Sequence, residues 1–253
     1  MRVVDCKDLH YRQLNSEVRR LLAKGEDKLV LREVNGQRYI GAGLAGSACL
    51  EIEGTAGNNV GAMMNGLTII VSGNAQDGVG NTMYNGKIIV RGSAGDIVGY
   101  AMRGGRILVH QDVGWRTGIH MKEQRDARPV IVIGGTAGDF LGEYMAGGVI
   151  VVLGINKPLS SASDSSNPLV GHWVASGMHG GRIYIRGTLP SWQTSLGQVR
   201  VELVTPEQCS ELQEIIDDFS TSFDIDLSGM KRETFSKISP LGARPFAHLY
   251  NHS

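Results

Sequence analysis

The sequence predicts a mainly β fold: a parallel β-helix of about seven rungs, with small helical caps at both ends. Three observations predict it. The first is a 19-residue period. Gly61, Gly80, Gly99 and Gly118 keep that step, and so do Met64, Met83, Met102 and Met121. Several independent columns at one period near 20 residues mark a solenoid, in which each unit buries its apolar face against its neighbours. The second is a pair of aliphatic files, found by aligning the rungs on their strand ends. One file is Leu50, Ile69, Ile88, Ile107, Ile131, Ile150 and Ile183; the other is Ile52, Val71, Val90, Val109, Ile133, Val152 and Ile185. Residues of this kind stack well in a buried ladder of strands. The third is spacing: the residues between successive strands are too few for a crossover helix, so tight glycine turns must join them.

Taken in order, residues 1–40 read as an N-terminal cap. Asn15 or Ser16 is placed to cap a helix carrying Val18, Leu21 and Leu22 and ending at Gly25. KLVLREV reads as a strand, and Asn35-Gly36 as a tight hairpin turn. Such a cap would cover the unpaired edge of the terminal rung.

Residues 41–187 are the repeat array. Its glycine column runs on to Gly142 and its methionine column to Met145 and Met178, after two stretches that lengthen the period. These are KEQRDAR at 122–128 and INKPLSSASDSSNP at 155–168, both polar enough to be loops outside the rungs. Between the two inward files lies a third: Glu51, Ile70, Ile89, Leu108, Val132, Val151 and Tyr184. This file is also largely apolar, so a chain terminus or a partner should cover it.

Residues 188–253 lose the glycine pattern. GQVRVEL reads as a strand. Thr205-Pro206-Glu207 is a helix start, and Leu212, Ile215, Ile216 and Phe219 share one face of that helix. The helix either packs on the outer apolar file or closes the far end. The tail SPLGARPFAHLYNHS is expected to run irregularly along the solenoid surface.

Composition excludes several classes. Acidic and basic residues balance at 25 each, which gives nucleic acid no electrostatic footprint. No apolar run reaches membrane-spanning length and MRVVDCKDLH is no signal sequence, so a cytoplasmic location is expected. Cys6, Cys49 and Cys209 are too scattered for a disulfide framework or a CxxC metal site.

Each candidate for chemistry has a plainer alternative. The methionine column suits core packing at a corner better than thioether metal binding. Asp77, Asp96 and Asp139, with Asn58 below them, form a broken file, interrupted by Trp115; they suit turns better than a calcium ladder. His172 falls at the Asp139 position one rung on, and the two together would be an acid–base pair without an accompanying nucleophile. The glycines match neither phosphate-binding pattern and recur in every rung, as corners do. Arg103, Arg106, Arg116, Lys122, Arg125 and Arg128 outnumber Asp112, Glu123 and Asp126 nearby, either as a docking patch for an acidic partner or as a solvated face.

The repeated GxxM…G…IxVxG…AGD pattern resembles the GXGXG domain, a right-handed parallel β-helix. Its clearest stretches are GGTAGDFLGEYMAGGVIVVLG at 134–154 and SGMHGGRIYIRG at 176–187. That domain forms the C-terminal part of the glutamate synthase large subunit, and it also forms one of the subunits of formylmethanofuran dehydrogenase. The length is similar to that of the separately encoded domain-3 proteins of archaeal-type glutamate synthases. The resemblance implies a structural role without catalytic, cofactor or metal residues in this chain. The solenoid would space a glutamine amidotransferase-like subunit and an FMN/iron–sulfur synthase-like subunit, and those partners would carry the cofactors. A formylmethanofuran dehydrogenase-type component, an independent β-helix enzyme and a homo-oligomer are the alternatives.

Overall fold

The aliphatic files stack as the period requires. The computed structural model describes residues 1–124, 126–157, 168–190, 193–194 and 198–242. Nine parallel strands succeed one another in sheet order: β1 (Arg2–Asp5), β2 (Lys28–Asn35), β3 (Cys49–Thr55), β4 (Asn65–Val71), β5 (Asn85–Val90), β6 (Arg106–Val109), β7 (Val130–Ile133), β8 (Ala146–Val152) and β9 (Gly180–Arg186). The ladder keeps Leu50, Ile69, Ile88, Ile107, Ile131, Ile150 and Ile183 in register, and likewise the file from Ile52 to Ile185. Both files are buried in one inner core, which the methionines Met64, Met83, Met102, Met121, Met145 and Met178 also join. A further inward file, Ala56, Ala75, Ala94, Val113, Ala137 and Val170, is linked from turn to turn by single parallel bridges.

The seven expected rungs are the seven strands from β3 to β9, and these strands bound six complete turns. The array also begins earlier than Gly41. β2 pairs in parallel with β3, so strand pairing already runs through the segment read as a cap. Asn35-Gly36 is therefore not a hairpin. Gly36, at φ 79°, carries the chain round a coil corner, and its N–H donates to the Thr55 carbonyl of the next turn at 2.8 Å. The first helix, α1 (Tyr11–Ala23), also starts earlier than Asn15. His10 is its N-cap, with its backbone N–H donating to Gln13 Oε1 at 3.1 Å. The Asn15 side chain instead donates to the Arg38 carbonyl at 2.8 Å, tying α1 to the first corner. Leu14, Val18 and Leu21 of α1 belong to the inner core.

At the other end the chain turns back. β10 (Val199–Val204) pairs antiparallel with β11 (Phe235–Pro240), and β11 pairs antiparallel with β9. Ser239 and Pro240, expected in an irregular tail, therefore lie in a strand; residues 243–253 fall outside the described residues. Thr205-Pro206 starts a single 3-10 turn, Pro206–Gln208, and α2 (Ser210–Phe223) follows it with Cys209 as N-cap.

α2 covers the outer file rather than the far end. Leu212, Ile215, Ile216, Phe219 and Phe223 form a second core with Ile89, Leu108, Val132, Val151 and Tyr184. Polar contacts rim this seam. Lys87 and Arg106 both reach Asp218, at 2.6 and 2.9 Å. Glu211 accepts from Arg182 at 2.8 Å, Arg128 at 2.7 Å and the Tyr184 hydroxyl at 2.9 Å. Burial pushes the Glu211 carboxyl up, but the hydrogen bonds from Arg182 and Tyr184 outweigh it and hold the group below the usual glutamate range. In the 122–128 insertion Gln124 and Ala127 form one antiparallel bridge, and Glu123 pairs with Arg128 at 3.0 Å. Most of the second insertion, 158–167, lies outside the described residues.

Candidate functional site: an aromatic corner

Each turn is closed by three left-handed residues at alternate positions. The first positions are Tyr39, Asn59, Gly78, Ile97, Arg116, Phe140 and Trp173. The middle positions are Gly41, Gly61, Gly80, Gly99, Gly118, Gly142 and Ala175. The last are Gly43, Met63, Thr82, Ala101, His120, Tyr144 and Gly177, and φ over the whole set lies between 50° and 75°.

The alternation has a hydrogen-bonding reason. Buried backbone donors must be satisfied, and the left-handed residues find their acceptors in the turns before and after. The Arg116 N–H donates forward to the Asp139 carbonyl at 2.9 Å, Gly118 back to Val98 at 2.8 Å, and His120 forward to Glu143 at 3.0 Å. The middle position needs glycine for a second reason. A Cβ on Gly118 would lie closer than 3.0 Å to Ile150 Cδ1, as one on Gly61 would to Ile88. Ala175 follows the same backbone in the last turn, above which the parallel ladder adds no further isoleucine.

Side chains at the first and last positions point outward. Left-handed backbone costs an L-residue about 1–2 kcal/mol, and bulky or β-branched residues there are outliers. Over the last three turns these costly positions are filled by Arg116, His120, Phe140, Tyr144 and Trp173. Their side chains stack along the solenoid. Arg116 lies over the Phe140 ring at 5.2 Å and pairs with Glu143 at 3.1 Å. Phe140 stacks on Trp173 at 4.8 Å and 16°, and His120 on Tyr144 at 5.4 Å and 10°. Trp173, Tyr144 and the neighbouring Trp115 are exposed. Arg and large aromatic side chains in such a patch have the composition of protein–protein binding hot spots.

The structure brings Asp139 and His172 together, with Nδ1 to Oδ1 3.4 Å, but in an ordinary setting. Asp139 Oδ1 also accepts the His172 backbone N–H at 2.8 Å. Asp77 accepts from the Asp96 N–H at 2.9 Å and Asp96 from the Trp115 N–H at 2.8 Å in the same way. These aspartates join successive turns. The expected basic patch is divided. Arg106 and Arg128 are held at the α2 seam, Arg116 pairs with Glu143, Arg103 and Lys122 face a separate groove, and Arg125 lies outside the described residues.

Among the described residues no group of three His, Cys, Asp or Glu side chains is placed to hold a metal ion, and no helix is long and apolar enough to cross a membrane. The three cysteines are unpaired and scattered, which is not the donor set of an iron–sulfur cluster. The aromatic stack escaped the sequence reading because its members differ in kind and the two insertions break their spacing. The signal present was bulky residues two positions before and two positions after the glycine column.

Fold and corner together define the class: a parallel β-solenoid whose turns close through alternate left-handed residues. The chain belongs to the GXGXG motif family, whose model matches residues 29–240. It is also similar to the Uncharacterized protein MJ1350 of Methanocaldococcus jannaschii, with 41% identity over 254 residues, 98% of this chain and 95% of the relative.

Proposed function

We propose that the chain is a non-catalytic subunit of a glutamate synthase-like complex, an amidotransferase-linked oxidoreductase of nitrogen metabolism, in which the solenoid spaces and docks the catalytic partners. Membership of the GXGXG motif family supports this reading. The observation that carries it is the exposed stack of Arg116, Phe140 and Trp173. The outer apolar file cannot be the docking face over β6–β9, because α2 already covers it. The corner is an apolar surface left exposed, and it runs along several turns that a rigid ladder holds at fixed spacing. A fixed distance between two active sites matters when a reactive intermediate such as ammonia must pass between them. The partners would be glutamine amidotransferase-like and FMN/iron–sulfur synthase-like subunits.

The test mixes the purified chain with those subunits. Alone, it should show no glutaminase or glutamate-forming activity and no flavin or iron absorbance. Mixed, it should co-elute in size-exclusion chromatography, and Trp173→Ala should weaken the complex about tenfold or more. Glutamine turnover or bound flavin in the isolated chain would overturn the reading, as would complex formation indifferent to Trp173.

A further inference from the structure

An open groove of about 580 Å³ adjoins the aromatic corner, whose His120 and Tyr144 line it. Its polar lining is Tyr100, Arg103, His120, Lys122, Tyr144 and His179, and Ala101 and Ala146 are the small residues among them. Every one of these polar side chains can donate a hydrogen bond, and no carboxylate lines the groove. The cations nearby on the same turns are neutralised: Arg106 by Asp218, Arg116 by Glu143, Arg128 by Glu123 and Glu211. Arg103 and Lys122 have no ion-pair partner among the described residues. Two cations in neighbouring turns thus face one concavity without a counter-charge.

The rings fix the shape of that concavity. His120 lies between Tyr100, edge-on at 6.0 Å, and Tyr144, stacked at 5.4 Å. The far side of the Tyr144 ring meets Gly177, where a Cβ would come closer than 3.0 Å to Tyr144 Cε1. At 5.4 Å the His120 and Tyr144 rings leave no gap for a ligand ring between them. Left-handed backbone at Ala101, His120 and Tyr144 holds the wall in place. A cationic concavity lined by hydrogen-bond donors and no carboxylate matches an oxyanion, and its volume of about 580 Å³ admits one larger than chloride.

We propose that this groove binds a small polyanion through its phosphate or carboxylate oxygens. The site shares His120 and Tyr144 with the aromatic corner, and its test uses the chain alone so that partner docking plays no part in the readout. Histidine side-chain NMR of the whole protein is titrated with inorganic pyrophosphate, with citrate, and with sodium chloride at matched ionic strength. The expected result is saturable shifts confined to His120 and His179 with pyrophosphate, with citrate or with both, and none with chloride. The probe that saturates assigns the source as phosphate or carboxylate. Arg103→Ala with Lys122→Ala should weaken binding at least tenfold while the melting temperature stays unchanged, because neither side chain forms an ion pair among the described residues. Shifts that chloride reproduces, no saturation with either probe, or binding unaffected in the double variant would each overturn the proposal. Tyr144→Phe is a second variant that keeps the stack and removes one donor, and it should weaken binding by a smaller factor.

Discussion

The inner and outer faces of the strands are both apolar and both buried, yet they are built differently. The inner face meets copies of itself. Each Ile or Val stacks on its equivalent above and below, so burial is settled within the repeat. The outer face meets α2, which is no part of the repeat. Its first residues, Glu51 and Ile70, are only partly buried, while Leu108, Val132, Val151 and Tyr184 are covered. A face filled by repetition needs no other element. A face filled by a separate helix depends on that helix arriving, and polar contacts rim the seam to hold it.

Four substitutions sharpen this difference. Val90→Asp puts a carboxylate in the middle of the inner stack, where no polar partner waits. It should cost several kcal/mol, about 4 or more, or force the carboxyl to stay protonated. An unchanged melting temperature would remove Val90 from the interior. Phe219→Ala opens the outer seam under α2 and should cost about 3 kcal/mol. Its hydrogen exchange should rise first in α2 and leave the amides of β4 protected, whereas simultaneous loss everywhere would make the two cores one unit.

Glu211→Gln should cost about 2 kcal/mol at neutral pH, since Arg182 and Arg128 lose their shared anion. The carboxyl sits below its ordinary value of 4.5 when folded. Its contribution is therefore complete above pH 4.5 and lost as pH falls through the lower folded-state value. Acid unfolding curves of wild type and variant should converge below that point, and parallel curves would deny Glu211 its charge role. The smallest effect has the opposite sign. Thr117 stands in the inward column with Val98 and Leu141, fully buried, and its hydroxyl has no hydrogen-bond partner. Thr117→Val should stabilise the chain by about 1 kcal/mol in denaturant titration.

What was legible in the sequence follows the same division. The inner files, their register and the methionine column could be read because one environment recurs at one period. α2 was legible as an amphipathic helix, and its place was one of two left open, because nothing in its own residues names the face it meets. β11 and the true start of α1 were missed. β11 owes its existence to the open edge of β9, and His10 caps α1 where a stronger capping residue stands further on at Asn15. The aromatic corner was hidden for a different reason. The positions that flank the glycine column carry no recurring residue type, so nothing in the repeat marks Phe140 or Trp173 as holding a costly left-handed conformation.

The alternate left-handed corner also sets how the protein can change length. From the first left-handed residue to the methionine, each corner keeps the same count: 59–64, 78–83, 97–102, 116–121, 140–145 and 173–178. Both insertions, 122–128 and 155–168, fall outside it. The corner behaves as the thread of a screw, with the amides of its left-handed residues engaging the turn above and the turn below alternately. One residue added inside it would reverse that phase, aiming donors at donors for the remainder of the turn. Length can therefore enter as a loop elsewhere in the turn or as a whole added turn, and a single-residue step within the corner is closed to this fold.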